Sequence, residues 1–185
     1  MRVIAGSARG TRLAGPPEGT RPVSDRAREG TFASLGERVP GSRCLDLFAG
    51  TGALGIEALS RGADRCVFVE RSRQAAAVIG ENLRRTHLQD LGGVVSADAA
   101  AFLRRPPPPD DAFDLVFCDP PYDLSGARLD DVLASLEAGW LVPEGWTVVV
   151  TRGHKASLPA VPLHWAARRH LRYGDSLVIQ YQEVG

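Results

Sequence analysis

Asp119, Pro120, Pro121 and Tyr122 follow directly on the apolar run from Phe113 to Cys118. A carboxylate, two ring-locked residues and an aromatic are unusual company where a core strand meets solvent. Proline fixes its own φ and restricts the residue before it, so the Asp119 side chain and the Pro120 carbonyl are held in set directions. Two acceptors fix N–H bonds and an aromatic face fixes a plane. That combination suits a flat base carrying an amino group. A turn explains the prolines and a helix cap explains an aspartate, but neither explains the four residues together.

A second constellation lies upstream. The stretch "LDLFAGTGALG" (45–55) carries the spacing G-x-G-x-x-G at Gly50, Gly52 and Gly55, between a strand-like and a helix-like segment. Such a loop lets a ligand approach the backbone closely. Glu70 stands 20 residues after Gly50, at the end of the next apolar run, where a carboxylate accepts both hydroxyls of a ribose. A nucleoside cofactor is expected, with Phe48 and Thr51 as further loop positions facing it. Asp46, just before the loop, favours a cationic ligand over a pyrophosphate. S-adenosylmethionine, with a sulfonium and an ammonium group, meets that demand. Asp98 either accepts from an adenine amino group, caps the helix that follows, or does both.

These residues need a scaffold, and the hydrophobic periods supply one. Short apolar runs at 44–48, 65–70, 93–97, 112–119 and 146–152 alternate with helical patterns at 53–61, 72–87 and 98–105 and with a stripe of Leu129, Val132, Leu133 and Leu136. Ser72 reads as an N-cap. Alternation of this kind predicts an α/β, Rossmann-like fold with a mostly parallel sheet covered on both faces. After residue 160 the pattern changes to two strands around Gly174 and Asp175, a C-terminal antiparallel hairpin. Pro106 to Pro109 read as a stiff extended loop. The first forty residues stand outside the alternation. "RVIAG" and "TRLAG" read as a small hairpin, and Ser24 to Leu35 as a helix. The expected organisation is an appendage over 1–40 and a main domain over 41–185.

Composition narrows the class. The 185 residues suit one domain with a sizeable core. No apolar run reaches about 18 residues, and the first residues lack a signal-peptide pattern, so a cytoplasmic protein away from membranes is expected. Cys44, Cys66 and Cys118 are odd in number and widely spaced, which fits buried free thiols rather than a disulfide or a metal site. The net charge is zero but unevenly spread. Residues 1–43 hold eight Arg against four acids, while residues 44–151 hold nine Arg against sixteen. A uniformly basic coat is excluded, and local binding to a polyanion is not.

The segments "DLFAGTGALG" and "DPPY", with Glu70 and Asp98, resemble the class I S-adenosylmethionine-dependent methyltransferases that modify amino groups. "RVIAGSARGTRL" followed by "RPVSDRAREGTFASL" (21–35) narrows the resemblance to the RsmD-like 16S rRNA guanine-N2 methyltransferases, over essentially the whole chain. That resemblance implies a compact seven-stranded sheet with an extra N-terminal hairpin and 16S rRNA as the partner. A small-subunit assembly intermediate is the expected form of that RNA, and nothing in the sequence suggests more than a monomer. It implies methyl transfer to the N2 of the guanine at position 966 of that RNA. Asp119, Pro120, Pro121 and Tyr122 then form the catalytic motif. Asp46, Phe48, Gly50, Thr51, Gly52, Glu70 and Asp98 hold the cofactor. Two departures stand out. Val23 occupies a position where the family usually carries Thr, and Gly30 weakens a helix by about 1 kcal/mol relative to Ala.

Four arginines are candidates for RNA contact: Arg9, Arg12, Arg21 and Arg28. For the first three the alternative is a solvated surface charge. Arg28 shares a helical stripe with Thr31, Phe32 and Leu35, so it either reaches the cleft or RNA phosphate, or snorkels at the stripe's edge. Three other functions use part of these features. A nicotinamide dehydrogenase leaves the Asp119–Tyr122 motif unexplained. An adenine-N6 methyltransferase uses that motif equally well, but the chain shows no separate DNA-reading domain. A non-catalytic RNA-binding assembly factor leaves the glycine loop idle.

Overall fold

The computed structural model describes residues 1–15, 24–107 and 111–184. Five strands, β1 (Arg43–Leu47), β2 (Arg65–Glu70), β3 (Gly92–Ser96), β4 (Leu115–Cys118) and β5 (Thr147–Gly153), pair in parallel. A hairpin of β6 (Trp165–Tyr173) and β7 (Ser176–Glu183) joins β5 antiparallel, giving the order β3-β2-β1-β4-β5-β7-β6. The expected seven-stranded, mostly parallel α/β sheet is therefore present. Between the strands run α2 (Ala53–Ser60), α3 (Arg73–Arg85), α4 (Ala99–Leu103) and α5 (Gly126–Ser135), and α1 (Asp25–Leu35) precedes β1.

The apolar strands are explained by burial on both faces. Successive side chains of a strand point to opposite sides. In β4, Leu115 and Phe117 join one core with Phe32 of α1, Ile56 of α2 and Ile79 of α3. Val116 and Cys118 join the other, with Leu103 of α4 and Leu129, Val132 and Leu133 of α5. β4 is shorter than the run from 112 to 119 suggested. Phe113 is diverted into an isolated bridge with Leu141, and its N–H donates to the Trp140 carbonyl at 2.8 Å. The three cysteines are buried and free, and burial pushes the Cys44 thiol up to about 12. Among the described residues no helix is long and apolar enough to cross a membrane.

The two arms of the N-terminal segment meet as the expected small hairpin, but a short one. Only the bridge between Arg2 and Arg12 and a few bonds, such as Val3 N–H to the Thr11 carbonyl at 3.0 Å, connect its two arms. The other donors turn to α2. The buried Glu57 carboxylate accepts from Ile4 N–H at 2.8 Å and Ala5 N–H at 3.0 Å. The Ser60 hydroxyl donates to the Ala5 carbonyl at 2.6 Å and accepts from Ala8 N–H at 3.0 Å. Buried Asn82 of α3 accepts from Ala14 N–H at 2.6 Å and donates to the Thr51 carbonyl at 3.0 Å.

Arg28 belongs to the same cluster, which corrects its assignment to RNA. Its side chain is wholly buried, with an ion pair to Asp25 at 3.0 Å, Nε 3.7 Å from Glu57, and a hydrogen bond to the Arg2 carbonyl. An arginine on an apolar stripe has gone inward because a buried carboxylate on α2 compensates its charge. Arg9 and Arg12 are exposed. Arg21 and Val23 lie outside the described residues, as does part of the Pro106–Pro109 run.

Gly30 also finds its reason. A Cβ there would stand 1.7 Å from the Tyr173 hydroxyl oxygen and 2.4 Å from its Cζ, so the helix omits a side chain where the β6–β7 hairpin presses against it. Gly30→Ala is expected to destabilise the protein. The gain of about 1 kcal/mol in helix propensity is outweighed by about 1–3 kcal/mol for displacing a packed ring. Urea unfolding would show a lower midpoint. Glu57→Ala removes the carboxylate facing a buried guanidinium and two backbone donors, and is expected to cost about 3–5 kcal/mol. A melting temperature close to the parent's would contradict the proposed clamp.

Candidate methyl-transfer site

Strand order reverses between β1 and β4, and that is where a doubly wound sheet opens a crevice beyond its carboxyl ends. Leu47 is in register with Cys118, so the next residues, Phe48 and Asp119, leave the sheet side by side. Cys118 is likewise in register with Val150, which sets Thr151 beside Asp119. One cavity of about 1060 Å³ results. It is lined by Asp46, Phe48, Gly50, Thr51, Glu70, Asp98 and the whole of Asp119–Tyr122. The two constellations separated by some 70 residues of sequence thus share one space. Gly52 is not among the lining residues; a Cβ on it would come within 3.1 Å of Ile79 and 3.2 Å of Phe68.

The glycine loop is built from left-handed backbone. Phe48, Gly50 and Gly52 have φ of 60°, 58° and 77°. At Phe48 this is a costly conformation for a residue with a side chain, of the kind that clusters at functional sites. A Cβ on Gly50 would meet nothing within 4 Å, so the backbone there is open to a ligand. Gly55 serves packing instead: a Cβ on it would come within 2.3 Å of Phe68.

Three carboxylates surround the loop. Glu70 accepts from Gly50 N–H and Ser72 N–H, each at 2.8 Å, one on each oxygen. Each oxygen keeps a further lone pair for a hydroxyl. Asp46 is buried and accepts from Gly55 N–H at 3.0 Å. Burial holds its carboxyl well above the usual range, and the neighbouring charges of Asp119 and Glu70 push the same way. Asp119 is raised to about 7 by desolvation, against a hydrogen bond from Thr151 that lowers it. A buried carboxylate pushed up by neighbouring negative charge makes a site that a cation relieves. S-adenosylmethionine fits on this ground: a cationic donor for Asp46 and its neighbours, a ribose for Glu70, and bare backbone at Gly50.

Asp98 does cap α4, accepting from Ala101 N–H at 3.1 Å, and its second oxygen lies 3.5 Å from Arg128. It also lines the cavity. At the far wall Tyr122 is 63% exposed, which leaves its ring face free to stack. The Pro121 carbonyl accepts from Leu124 N–H at 3.0 Å, whereas the Pro120 carbonyl has no donor among the described residues. Asp119 and Pro120 therefore present two acceptors next to an open aromatic face. Neither Arg9, Arg12 nor Arg28 lines the cavity.

Several wall residues escaped the sequence reading. Ser24 and Arg26 come from the start of α1, Arg128 from α5, Arg152 from the end of β5, and Tyr173 and Asp175 from the β6–β7 turn. Thr151 carried one usable signal: it ends the apolar part of β5, the strand that pairs beside β4. The others depend on which loops fold over the crevice, which no local pattern encodes.

The fold and site agree with what this chain is similar to. A family model described as "Conserved hypothetical protein 95" matches residues 1–182. The Ribosomal RNA small subunit methyltransferase D of Escherichia coli (strain K12) is 35% identical over 184 residues, covering 98% of this chain and 89% of that protein. The protein of the same name from Haemophilus influenzae is 35% identical over 169 residues, covering 89% of this chain and 84% of its own length. The solved structure of Escherichia coli yhhF superposes with a TM-score of 0.87 at 35% identity, covering 99% of this chain and 97% of that one. With a family match over nearly its full length, the chain belongs to the conserved hypothetical protein 95 family, that of the RsmD-like methyltransferases.

Proposed function

We propose that this protein is an rRNA methyltransferase that uses S-adenosylmethionine to methylate the exocyclic N2 of a guanine in 16S rRNA. The guanine at position 966 is the proposed target, in a small-subunit assembly intermediate. The observation that carries this reading is the single cavity shared by the carboxylate-ringed glycine loop and Asp119–Tyr122. The 35% identity to a protein named ribosomal RNA small subunit methyltransferase D supports it. The enzyme would act as a cytoplasmic monomer, with residues 1–40 as an extension of a catalytic domain over 41–185.

When bound, the cofactor supplies a methyl group made electrophilic by its sulfonium. The chain's part is to hold and prepare the acceptor. The N2 lone pair of guanine is delocalised into the ring and is a poor nucleophile. Asp119 and the Pro120 carbonyl accept its two N–H groups, which favours a pyramidal nitrogen and stabilises positive charge developing there. Tyr122 stacks on the purine and fixes its plane, while Pro120 and Pro121 keep the acceptors from turning away. Asp119 accepts in its ionised form, and its loss of a proton near neutrality suits it to take one from the product nitrogen.

Asp119→Ala is expected to keep S-adenosylmethionine affinity and lower kcat for methyl transfer to small-subunit rRNA by about 10²–10³-fold. Calorimetry with the cofactor and transfer of labelled methyl check the two halves, and normal turnover would remove the assigned role. The raised Asp119 pKa also predicts a pH profile. The carboxyl is protonated below about 7 and cannot then accept from N2. kcat/KM should therefore fall as pH drops through about 7 and level off above it. A flat profile between pH 6 and 8 would contradict an ionised Asp119 as the acceptor.

A further inference from the structure

The last residues of β5, Thr151, Arg152 and Gly153, run past the end of β4 while staying paired with β7, beside the exit at Asp119. Between the residues that follow and Tyr122 lies a second cavity, of about 490 Å³. It shares Pro120, Pro121, Tyr122, Arg152 and Asp175 with the main one, so the two are halves of one groove divided by the tyrosine. Arg9, Arg12 and Arg28 do not line it.

The second half is cationic. Arg152, His154 and Lys155 line it, and among the described residues Asp175 is its one carboxylate. Asp175 is engaged by His154, whose N–H donates to its carbonyl at 2.8 Å and whose Nδ1 lies 3.4 Å from its carboxylate. Arg152 Nε is buried and has no acceptor among the described residues. Lys155 is exposed and forms no ion pair among them. A buried guanidinium N–H without an acceptor is costly to leave unmade, and a phosphate oxygen supplies what is missing. The planar guanidinium offers a fork to that group and the lysine a point charge to the next one.

We propose that this groove holds the sugar-phosphate backbone of the RNA strand flanking the target nucleotide, with Arg152 and Lys155 on neighbouring phosphates. The proposal rests on the reading of Tyr122 as the platform for an extruded base. A base stacked on that ring leaves the adjoining backbone against the wall the two cavities share. Phosphate contacts of this kind fix the register of the strand and carry no sequence information. The occupant is committed to RNA phosphate by the excess of cations and by the position beside the acceptor motif.

The test is the salt dependence of binding to small-subunit rRNA, measured without cofactor and with no methyl transfer required. For Arg152→Ala and for Lys155→Ala, the slope of log K against log salt should shrink by about 0.7 each. KM for RNA should rise about tenfold with cofactor affinity unchanged, since hydrogen bonds to charged groups are among the stronger ones. Arg152→Lys should restore most of the slope. The control is Arg104→Ala: Arg104 is exposed at the end of α4, which runs away from the crevice, and its slope should match the parent's. Thermal melting identifies any variant that fails to fold, and the Lys155 variant, altering an exposed side chain, then decides. Unchanged slopes in both folded variants would overturn the groove while leaving the methyl-transfer reading intact. Reduced slopes in the variants of a parent protein that never methylates rRNA would overturn that reading and keep the groove. A parent that does not bind the RNA would overturn both.

Discussion

Everything about the site depends on one pairing: β1 lies directly against β4 in parallel, with Leu47 opposite Cys118. The glycine loop is then the exit of one strand and Asp119 the exit of its neighbour. Parallel strands need crossover helices, and the crossovers here depart to opposite faces of the sheet on either side of this pair. No connection crosses the gap, so a crevice opens where the chain offers its most unusual residues. A slip of one residue in that register would turn Asp119 to the other side of the sheet and separate it from the loop.

The crowding of carboxylates follows from the same pairing. Asp46 belongs to β1, Glu70 ends the adjacent β2, and Asp119 follows β4 on the other flank. Asp46, between the other two, is held well above its usual range by burial first and by their charges second, which is unfavourable in the free protein and favourable when a cation enters. The N-terminal segment steadies the loop between them. Asn82 ties Ala14 to the Thr51 carbonyl, and Glu57 ties Ile4 and Ala5 to the helix that starts at the glycines. The buried pairing of Arg28 with Glu57 neutralises the charge this arrangement places inside.

The alternation of strands and helices was legible because the strands are buried on both faces and the helices on one, which leaves two distinct periods. The loop and the Asp119 motif were legible because proline and glycine carry backbone meaning on their own. Arg28 was not. Its stripe is compatible with an outward or an inward guanidinium, and only the buried Glu57 on another helix decides. The small N-terminal hairpin was legible as a pairing of two arms, but not its anchoring, since side chains of α2 and α3 take several of its backbone groups. Gly30 looked like a flaw in a helix until Tyr173, more than a hundred residues later, came to rest against it.

The central claim is that this cavity brings guanine N2 to the methyl donor, and the most direct measurement is made on the RNA. Nucleoside mass spectrometry of 16S rRNA fragments, from cells with and without this protein, reads the product itself. The account predicts that one N2-methylguanosine disappears in its absence and returns when the gene is supplied again. An unchanged N2-methylguanosine content, or the loss of a methylated adenine instead, would contradict it.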